Sequence, residues 1–166
     1  MVTELINNLK SLDFSPASKV WIYTSDKTFN EAEENAIYND LEKFCSNWES
    51  HGRQLAAKSF ILYARLIVLV VDDSFFSISG CAMDRSVAFL KKLEMEYNIS
   101  LFDRLLQTAY IHDQWITYPT EIWSEKLKSS EINSNTWFID TMVNNLHDAQ
   151  HNLEKKLGDF WLKRII

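Results

Sequence analysis

The feature that most constrains this sequence is an unbroken apolar run, LIVLVV, at residues 66–71. A second apolar stretch precedes it at residues 57–63, and only the short connection around Ala64 separates the two. So short a connection predicts an antiparallel β-hairpin. A run without polar alternation is typical of a strand that is covered on both faces. We therefore expect residues 66–71 to form the central strand of a sheet with other elements packed against each side.

Amphipathic helices are predicted before and after this hairpin. Apolar residues at a 3.6-residue period predict the first, from a cap at Thr28 with Glu31 completing a capping box, to about residue 49. Gly52 would close it in the left-handed conformation. The second is predicted over about residues 84–97, with Asp84 as its cap and a tight turn at Gly80 before it.

The remaining segments alternate between strand and helix patterns. They predict a short helix through Leu5, Leu9 and Leu12, strands at residues 19–25 and 75–79, a hairpin that turns at residues 112–114, a short helix capped by Thr120, a strand at 136–140, and a last helix with Leu146, Ala149, Leu153, Leu157 and Phe160 on one face.

This order of elements indicates an α+β fold. We expect a mainly antiparallel sheet packed with two or three amphipathic helices, plus a small C-terminal hairpin–helix–strand unit. The expected division is a main domain at residues 1–105 and a C-terminal hairpin–helix–strand–helix subdomain at residues 106–166, packed on the first. A single compact unit is the open alternative.

Charge and hydropathy exclude several classes of function. The formal net charge of −6 disfavours binding to nucleic acid or anionic membranes, because both need a basic face. The start of the chain lacks a signal-peptide pattern, and an apolar run of six is far short of the about 20 residues that a membrane helix needs. Two cysteines make no disulfide framework, and Cys45 falls on the core side of its predicted helix. We expect a soluble, cytoplasmic protein.

The sequence motifs support neither nucleotide hydrolysis nor metal binding. A P-loop needs spaced glycines followed by Lys-Ser or Lys-Thr, and none of Gly52, Gly80 and Gly158 is followed in this way. His147 and His151 have the i, i+4 spacing of half a zinc site, but they are interpreted as solvent-facing. We therefore expect no bound metal and no cofactor.

Cys81 supports an alternative hypothesis, a small cysteine-dependent enzyme. A thiol near a helix N-terminus is stabilised as the thiolate by the helix dipole. His51 would act as its base, with Asp84 or Asp72 orienting the histidine. The phosphate-binding pattern Cys-x₅-Arg is absent, because Val87 stands where the arginine would be.

The leading hypothesis is a non-enzymatic module that binds a protein partner or a small molecule. Its candidate binding residues are Ser79, Gly80 and Arg85 at the start of the second helix, together with Trp48, Trp115 and Trp123. The aromatic residues of the C-terminal third form either a peptide-binding surface or the core of a small subdomain. Self-association through an uncovered strand edge is also open.

Two stretches carry resemblances to known families. Trp48, His51-Gly52, RLIVLVVDDS, SGCAMDRSVAFLKKLE and LFDR resemble a family of uncharacterised small bacterial proteins commonly labelled "ABC transporter ATPase". The resemblance implies a shared fold and a recurring Ser79-Gly80-Cys81 and Asp84 element near His51. Residues 115–143 are similar to the second type of GYF-like domain, which implies binding to proline-rich partners. Here Tyr118-Pro119 replaces the usual Gly-Pro, and Ser130 stands where glycine is common.

Overall fold

The computed structural model describes residues 7–166, beginning with a helical segment at residues 7–10. Leu9 of the predicted N-terminal helix is buried, and Leu5 lies outside the described residues. The elements that follow are β1 (Lys19–Thr24), α1 (Glu31–Asn47), β2 (Glu49–Ser50), β3 (Arg53–Gln54), β4 (Ala56–Leu62), β5 (Leu66–Asp72), α2 (Gly80–Tyr97), β6 (Leu106–Ile111), β7 (Gln114–Pro119), α3 (Thr120–Lys128), β8 (Trp137–Ile139), α4 (Leu146–His151) and β9 (Glu154–Lys156). Two short 3₁₀ turns, Leu157–Asp159 and Trp161–Arg164, end the chain.

The central sheet is antiparallel and has the strand order β1-β5-β4. Every residue of β5 from 66 to 71 is buried. Ile67, Leu69 and Val71 belong to the cluster that contains the apolar faces of α1 and α2. Leu66 and Val68 belong to a second cluster with residues of β8 and α4. The predicted central strand is confirmed, since each face of β5 lies in a separate hydrophobic core.

A second antiparallel sheet has the strand order β7-β6-β8-β9. The β6–β7 hairpin turns at His112 and Asp113, whose φ values of 50° and 61° fit a tight hairpin turn. Trp123 of α3, Phe138 of β8 and Phe160 form the core of this part of the molecule. The predicted α+β class, with mainly antiparallel pairing, is confirmed.

The C-terminal half is joined to the central sheet by apolar contacts and by backbone hydrogen bonds of residues 144–146. Ile139, Leu146 and Leu153 from beyond residue 105 pack in one cluster with residues of β4 and β5. The Val20 N–H donates to the Asn144 carbonyl at 3.1 Å, and the Leu146 N–H donates to the Ser18 carbonyl at 2.9 Å. The segment after β8 therefore fastens the C-terminal half to the outer side of β1.

The predicted helix caps lie at the wrong residues. Asn30 caps α1 in a capping box with Glu33, while the hydroxyl of Thr28 accepts a hydrogen bond from Arg65 of the β4–β5 turn. Ser79 caps α2, so Asp84 lies exposed within that helix. Pro119 precedes α3 without a side-chain cap, and Thr120 is its first residue.

Three further predictions about local structure are wrong. Gly52 is in the β2–β3 turn with φ of 73°, while α1 ends at an extended Trp48. Residues 75–79 form no strand, and the Ser77 carbonyl and the Ser79 N–H bond to the Ser50 hydroxyl in place of a neighbouring strand. The last helix stops at His151, since the following residues pair with β8 as strand β9. Within residues 7–166, no helix is long and apolar enough to cross a membrane.

Candidate functional site

The start of α2 is held by polar contacts with the segment that follows α1. The Ser50 hydroxyl donates to the Ser77 carbonyl at 3.1 Å and accepts from the Ser79 N–H at 2.9 Å. The buried indole of Trp48 donates to the Ala82 carbonyl at 2.8 Å. The Ser79 hydroxyl accepts from the Ala82 N–H as the helix cap. Trp48 and Ser79, two candidate binding residues, are thus engaged in structural contacts.

Gly80 does not make the tight turn that its position suggested. It is the first residue of α2, its φ lies outside the left-handed region, and a Cβ there would meet nothing within 4 Å. Arg85 lies on the exposed side of the same helix. Neither residue lines a groove or cavity described below.

The segments that carry Cys81 and His51 are connected through Ser79 and Ser50, but the residues of the predicted cysteine-centred set share no hydrogen bond among the described residues. Cys81 and His51 are both exposed, and within residues 7–166 no hydrogen bond connects them. Asp72 accepts hydrogen bonds from Ser74 and from the Ser15 N–H. Burial raises the pKa of the Asp72 carboxyl, but the bonds from Ser74 and Ser15 outweigh it and hold the pKa below its usual value. Asp72 is therefore used by its own turn.

Of the two C-terminal tryptophans that were candidate binding residues, one lies in the core and the other lies between the two sheets. Trp123 is fully buried and donates its indole N–H to the Gln107 carbonyl at 2.9 Å, so it offers no surface to a partner. Trp115 is half-buried and lies against Tyr63, with 4.8 Å between the ring centroids. Trp115 therefore packs where the two sheets meet.

The two C-terminal histidines form no metal centre with their surroundings. The rings of His147 and His151 are stacked with centroids 4.6 Å apart, and both side chains are exposed. Over the residues that the structure describes, no group of three or more potential metal-ligating side chains occurs.

A groove of about 400 Å³ lies beside the outer edge of β1, and the sequence reasoning did not identify it. Its lining comes from four separate segments, namely residues 20–24 of β1, residues 101–104 with Leu106 and Gln107, residues 141–144, and Trp161. A volume of this size is within the range of about 300–1,000 Å³ found for ligand pockets. We call this feature the β1 groove.

The outer backbone edge of β1 is open beyond Val20. The Val20 N–H points away from β5, because it donates to Asn144. Backbone groups of a strand alternate in direction with a period of two, so the N–H and C=O of Ile22 also point away from β5. Among the described residues, neither group of Ile22 has a hydrogen-bond partner, since β1 pairs with β5 alone as a strand. The edge that faces the groove is thus unpaired at Ile22.

Two buried polar atoms along the groove also lack partners. Gln107 is 1% exposed, and its Nε2 donates to the Arg104 carbonyl at 3.0 Å. Gln107 Oε1 and the indole Nε1 of Trp161 have no hydrogen-bond partner in the described part of the chain. Buried polar atoms are nearly always paired, so these two atoms, on residues that line one groove, need a partner from outside the described chain, such as a water or a ligand.

The rim of the groove is apolar with one charge of each sign. Phe102 and Met142 are 38% and 59% exposed, and Phe102 packs edge-on against Tyr23 at 5.4 Å. Burial raises the pKa of the Tyr23 hydroxyl, and the nearby Arg104 guanidinium partly opposes this. Arg104 and Asp103 are both exposed. The groove therefore offers apolar contact and hydrogen-bonding groups without a strong net charge.

Comparison with known proteins assigns no family to this chain. A scan against protein-family models finds no match, and searches of curated proteins and of solved structures find none either. The resemblances described for residues 48–104 and 115–143 stay predictions. The geometry of the β1 groove is the basis for the functional proposal.

Proposed function

We propose that this protein is a non-enzymatic binding module, without ATPase activity, that takes up an extended peptide segment of a protein partner along the free edge of β1. The observation that carries the proposal is the unpaired N–H and C=O of Ile22 beside a groove of about 400 Å³. An extended peptide pairs with such an edge through its own backbone and adds one strand to the sheet.

The composition of β1 supports this use of its edge. Proteins usually protect exposed strand edges with charged residues, proline or a bulge. In β1 the only charged residue is Lys19 at its first position, and the five residues after it are uncharged. The edge at Ile22 thus carries none of these protections against pairing.

The walls of the groove favour a single peptide strand over a second copy of this chain. Leu106, Gln107 and residues 141–144 line the groove together with β1, so the space beside Ile22 is bounded by other segments of the chain. One extended segment fits between such walls, whereas the edge of a second sheet would bring its covering elements against them. Phe102 and Met142 provide exposed apolar contacts for alternate side chains of the peptide.

The cysteine-dependent alternative has less support. Its residues Cys81 and His51 are exposed but share no hydrogen bond within the described residues, and Asp72 is engaged by Ser74. The start of α2 therefore lacks the nucleophile–base contact on which covalent catalysis depends.

The proposal is tested with a displayed library of random decapeptides selected on the immobilised full chain. Selected peptides are then measured by fluorescence anisotropy against the wild type, Ile22→Pro and Ile22→Val. Proline removes the outward N–H without removing a hydrogen bond to β5, although it also shortens the side chain and fixes φ, whereas valine shortens the side chain and keeps the N–H. We expect affinity to fall about tenfold or more in Ile22→Pro and to stay within about threefold in Ile22→Val.

Three outcomes would overturn the proposal. The first is a library that yields no binder. The second is a set of binders with equal affinity for Ile22→Pro and the wild type, when circular dichroism shows that the variant is folded. The third is a dimer of the wild type by light scattering that Ile22→Pro dissociates, since this would assign the edge to self-association.

A further inference from the structure

We infer that the β1 groove recognises a primary carboxamide, the side-chain group of Asn or Gln, through Gln107 Oε1 and Trp161 Nε1. The inference rests on the proposed function, because it names the peptide group that enters the groove. It uses two side chains that the backbone pairing at Ile22 does not involve.

The orientation of the Gln107 amide is determined by its neighbour. A backbone carbonyl can only accept, so the group within 3.0 Å of the Arg104 carbonyl must be the Nε2 amide. Oε1 is therefore the atom left without a partner. The Gln107 backbone is also held, since its carbonyl accepts from the Trp123 indole. The free acceptor thus has a defined position.

Trp161 adds the complementary donor. An indole N–H can only donate, and its Nε1 is buried without an acceptor among residues 7–166. Trp161 follows Phe160, which belongs to the core of the C-terminal part, so its position is set by the 3₁₀ turn Trp161–Arg164. Gln107 and Trp161 both line the β1 groove, and their unpartnered buried atoms are one neutral acceptor and one neutral donor.

A primary carboxamide matches this pair better than the charged side-chain groups of a peptide. It carries an N–H₂ donor and a carbonyl acceptor at one end. A carboxylate has no donor, and an ammonium or guanidinium group has no acceptor. A backbone amide directs its N–H and C=O to opposite sides, and in the proposed complex the edge at Ile22 uses those groups.

The inference is tested by titrating the ¹⁵N-labelled full chain with four small probes: propionamide, N,N-dimethylpropionamide, propionate and 1-propanol. The readout is the indole Nε1–H resonance of Trp161, assigned by its loss in Trp161→Phe. The indole resonance of Trp137, which is exposed outside the groove, is the internal control. We expect propionamide to shift Trp161 saturably and the three other probes to bind at least about fivefold more weakly.

Two variants separate recognition from general packing. In Gln107→Met, which keeps the length of the side chain, the dissociation constant for propionamide should rise about tenfold. If that variant does not fold, Trp161→Phe is used instead. The Gln107 side-chain amide resonances then report the same loss of affinity for propionamide. Equal shifts with all four probes, or none with propionamide, would overturn the inference.

The outcome is distinguishable from failure of the proposed function. If selected peptides depend on Ile22 but propionamide does not move the Trp161 resonance, only the carboxamide inference fails. If propionamide binds through Gln107 and Trp161 but no peptide depends on Ile22, the strand-addition proposal fails.

Discussion

At the scale of single residues, the two cysteines differ only in their surroundings. Cys45 lies in the core between α1 and the central sheet, and burial raises the pKa of its thiol to about 11. Cys81 is exposed near the start of α2. Since the thiolate is the reactive form, only Cys81 is expected to react at neutral pH.

We predict that the native protein consumes one equivalent of a thiol reagent at pH 8, and two after unfolding in guanidinium. Cys81→Ser should remove the native reaction entirely, while Cys45→Ser should leave it unchanged. The pH dependence of the native rate also tests the enzyme hypothesis. A midpoint near 8.5 would be that of an ordinary thiol and would remove the main support for a reactive Cys81.

Tyr97 connects α2 to α1 in a way that depends on pH. Its hydroxyl donates to the Asp40 carboxylate at 2.9 Å. Burial and this hydrogen bond raise the pKa of Tyr97 from 10.0 to about 12. A raised pKa means that the contribution to stability is complete below about pH 10 and is lost as the pH rises towards 12.

We therefore predict that Tyr97→Phe weakens the alkaline dependence of stability. Urea unfolding at pH 8, 10 and 11.5 should give a smaller loss of unfolding free energy with pH in the variant than in the wild type. At pH 8 the variant should be less stable by about 1 kcal/mol, because the hydrogen bond to Asp40 is absent. Parallel curves for both proteins from pH 8 to 11.5 would contradict this role.

At the scale of elements, Gly52 and Gly80 differ in backbone conformation, although the sequence predicts a turn next to a helix for both. Gly52 has φ of 73° in the β2–β3 turn, whereas Gly80 is the helical first residue of α2 in open space. Gly52→Ala should destabilise the protein by about 1 kcal/mol, because L residues are strained in the left-handed region. Gly80→Ala should stabilise it by about 0.5 kcal/mol by restricting the unfolded chain.

Urea unfolding of these two variants provides the measurement, and each serves as the matched control of the other. The same sign of change for both substitutions would show that the two glycines do not differ in backbone conformation. Neither site is crowded, since a Cβ at either position would meet nothing within 4 Å. The difference in stability between the two variants therefore reports the backbone conformation and not side-chain crowding.

The elements that the sequence predicted best are those that local chemistry determines. The β4–β5 and β6–β7 hairpins follow from apolar runs joined by connections too short for anything else. The misplaced caps and the shortened last helix depend on distant partners. Thr28 bonds to Arg65, Ser50 binds the backbone at Ser77, and residues 154–156 pair with β8.

At the scale of the whole molecule, the shared core predicts one cooperative unfolding transition. Leu146 of α4 is fully buried in the cluster that contains Leu66 and Val68 of β5. Leu146→Ala should cost about 2–5 kcal/mol through lost burial and the cavity left behind. Because the cluster joins both sheets, the loss of stability should be equal in β5 and β6.

Native-state amide exchange of Val68 in β5 and Ala109 in β6 measures this coupling. Both opening free energies should fall by the same amount in Leu146→Ala. Leu105→Ala, at a leucine that is 54% exposed, is the matched control and should change neither. A fall at Val68 with no change at Ala109 would show that residues 1–105 and 106–166 unfold separately.

The β1 groove could not be predicted from the sequence, because its lining comes from segments more than 130 residues apart in the chain, from Val20 to Trp161. The only local signal was the uncharged stretch after Lys19 in β1. Gln107 and Trp161 lack hydrogen-bond partners because of where the polar groups of distant segments lie. No local sequence pattern records those positions.

Apolar periodicity and turn chemistry act over a few residues, so they decided that this chain has a buried central strand, two long amphipathic helices and an α+β fold. They also placed Cys45 in the core. Tertiary packing decided which polar groups are satisfied, which strand edge stays open, and whether Trp123 faces a partner or the interior. These properties depend on contacts between distant segments, and the free edge at Ile22 and the unpaired atoms of Gln107 and Trp161 are defined only by those contacts.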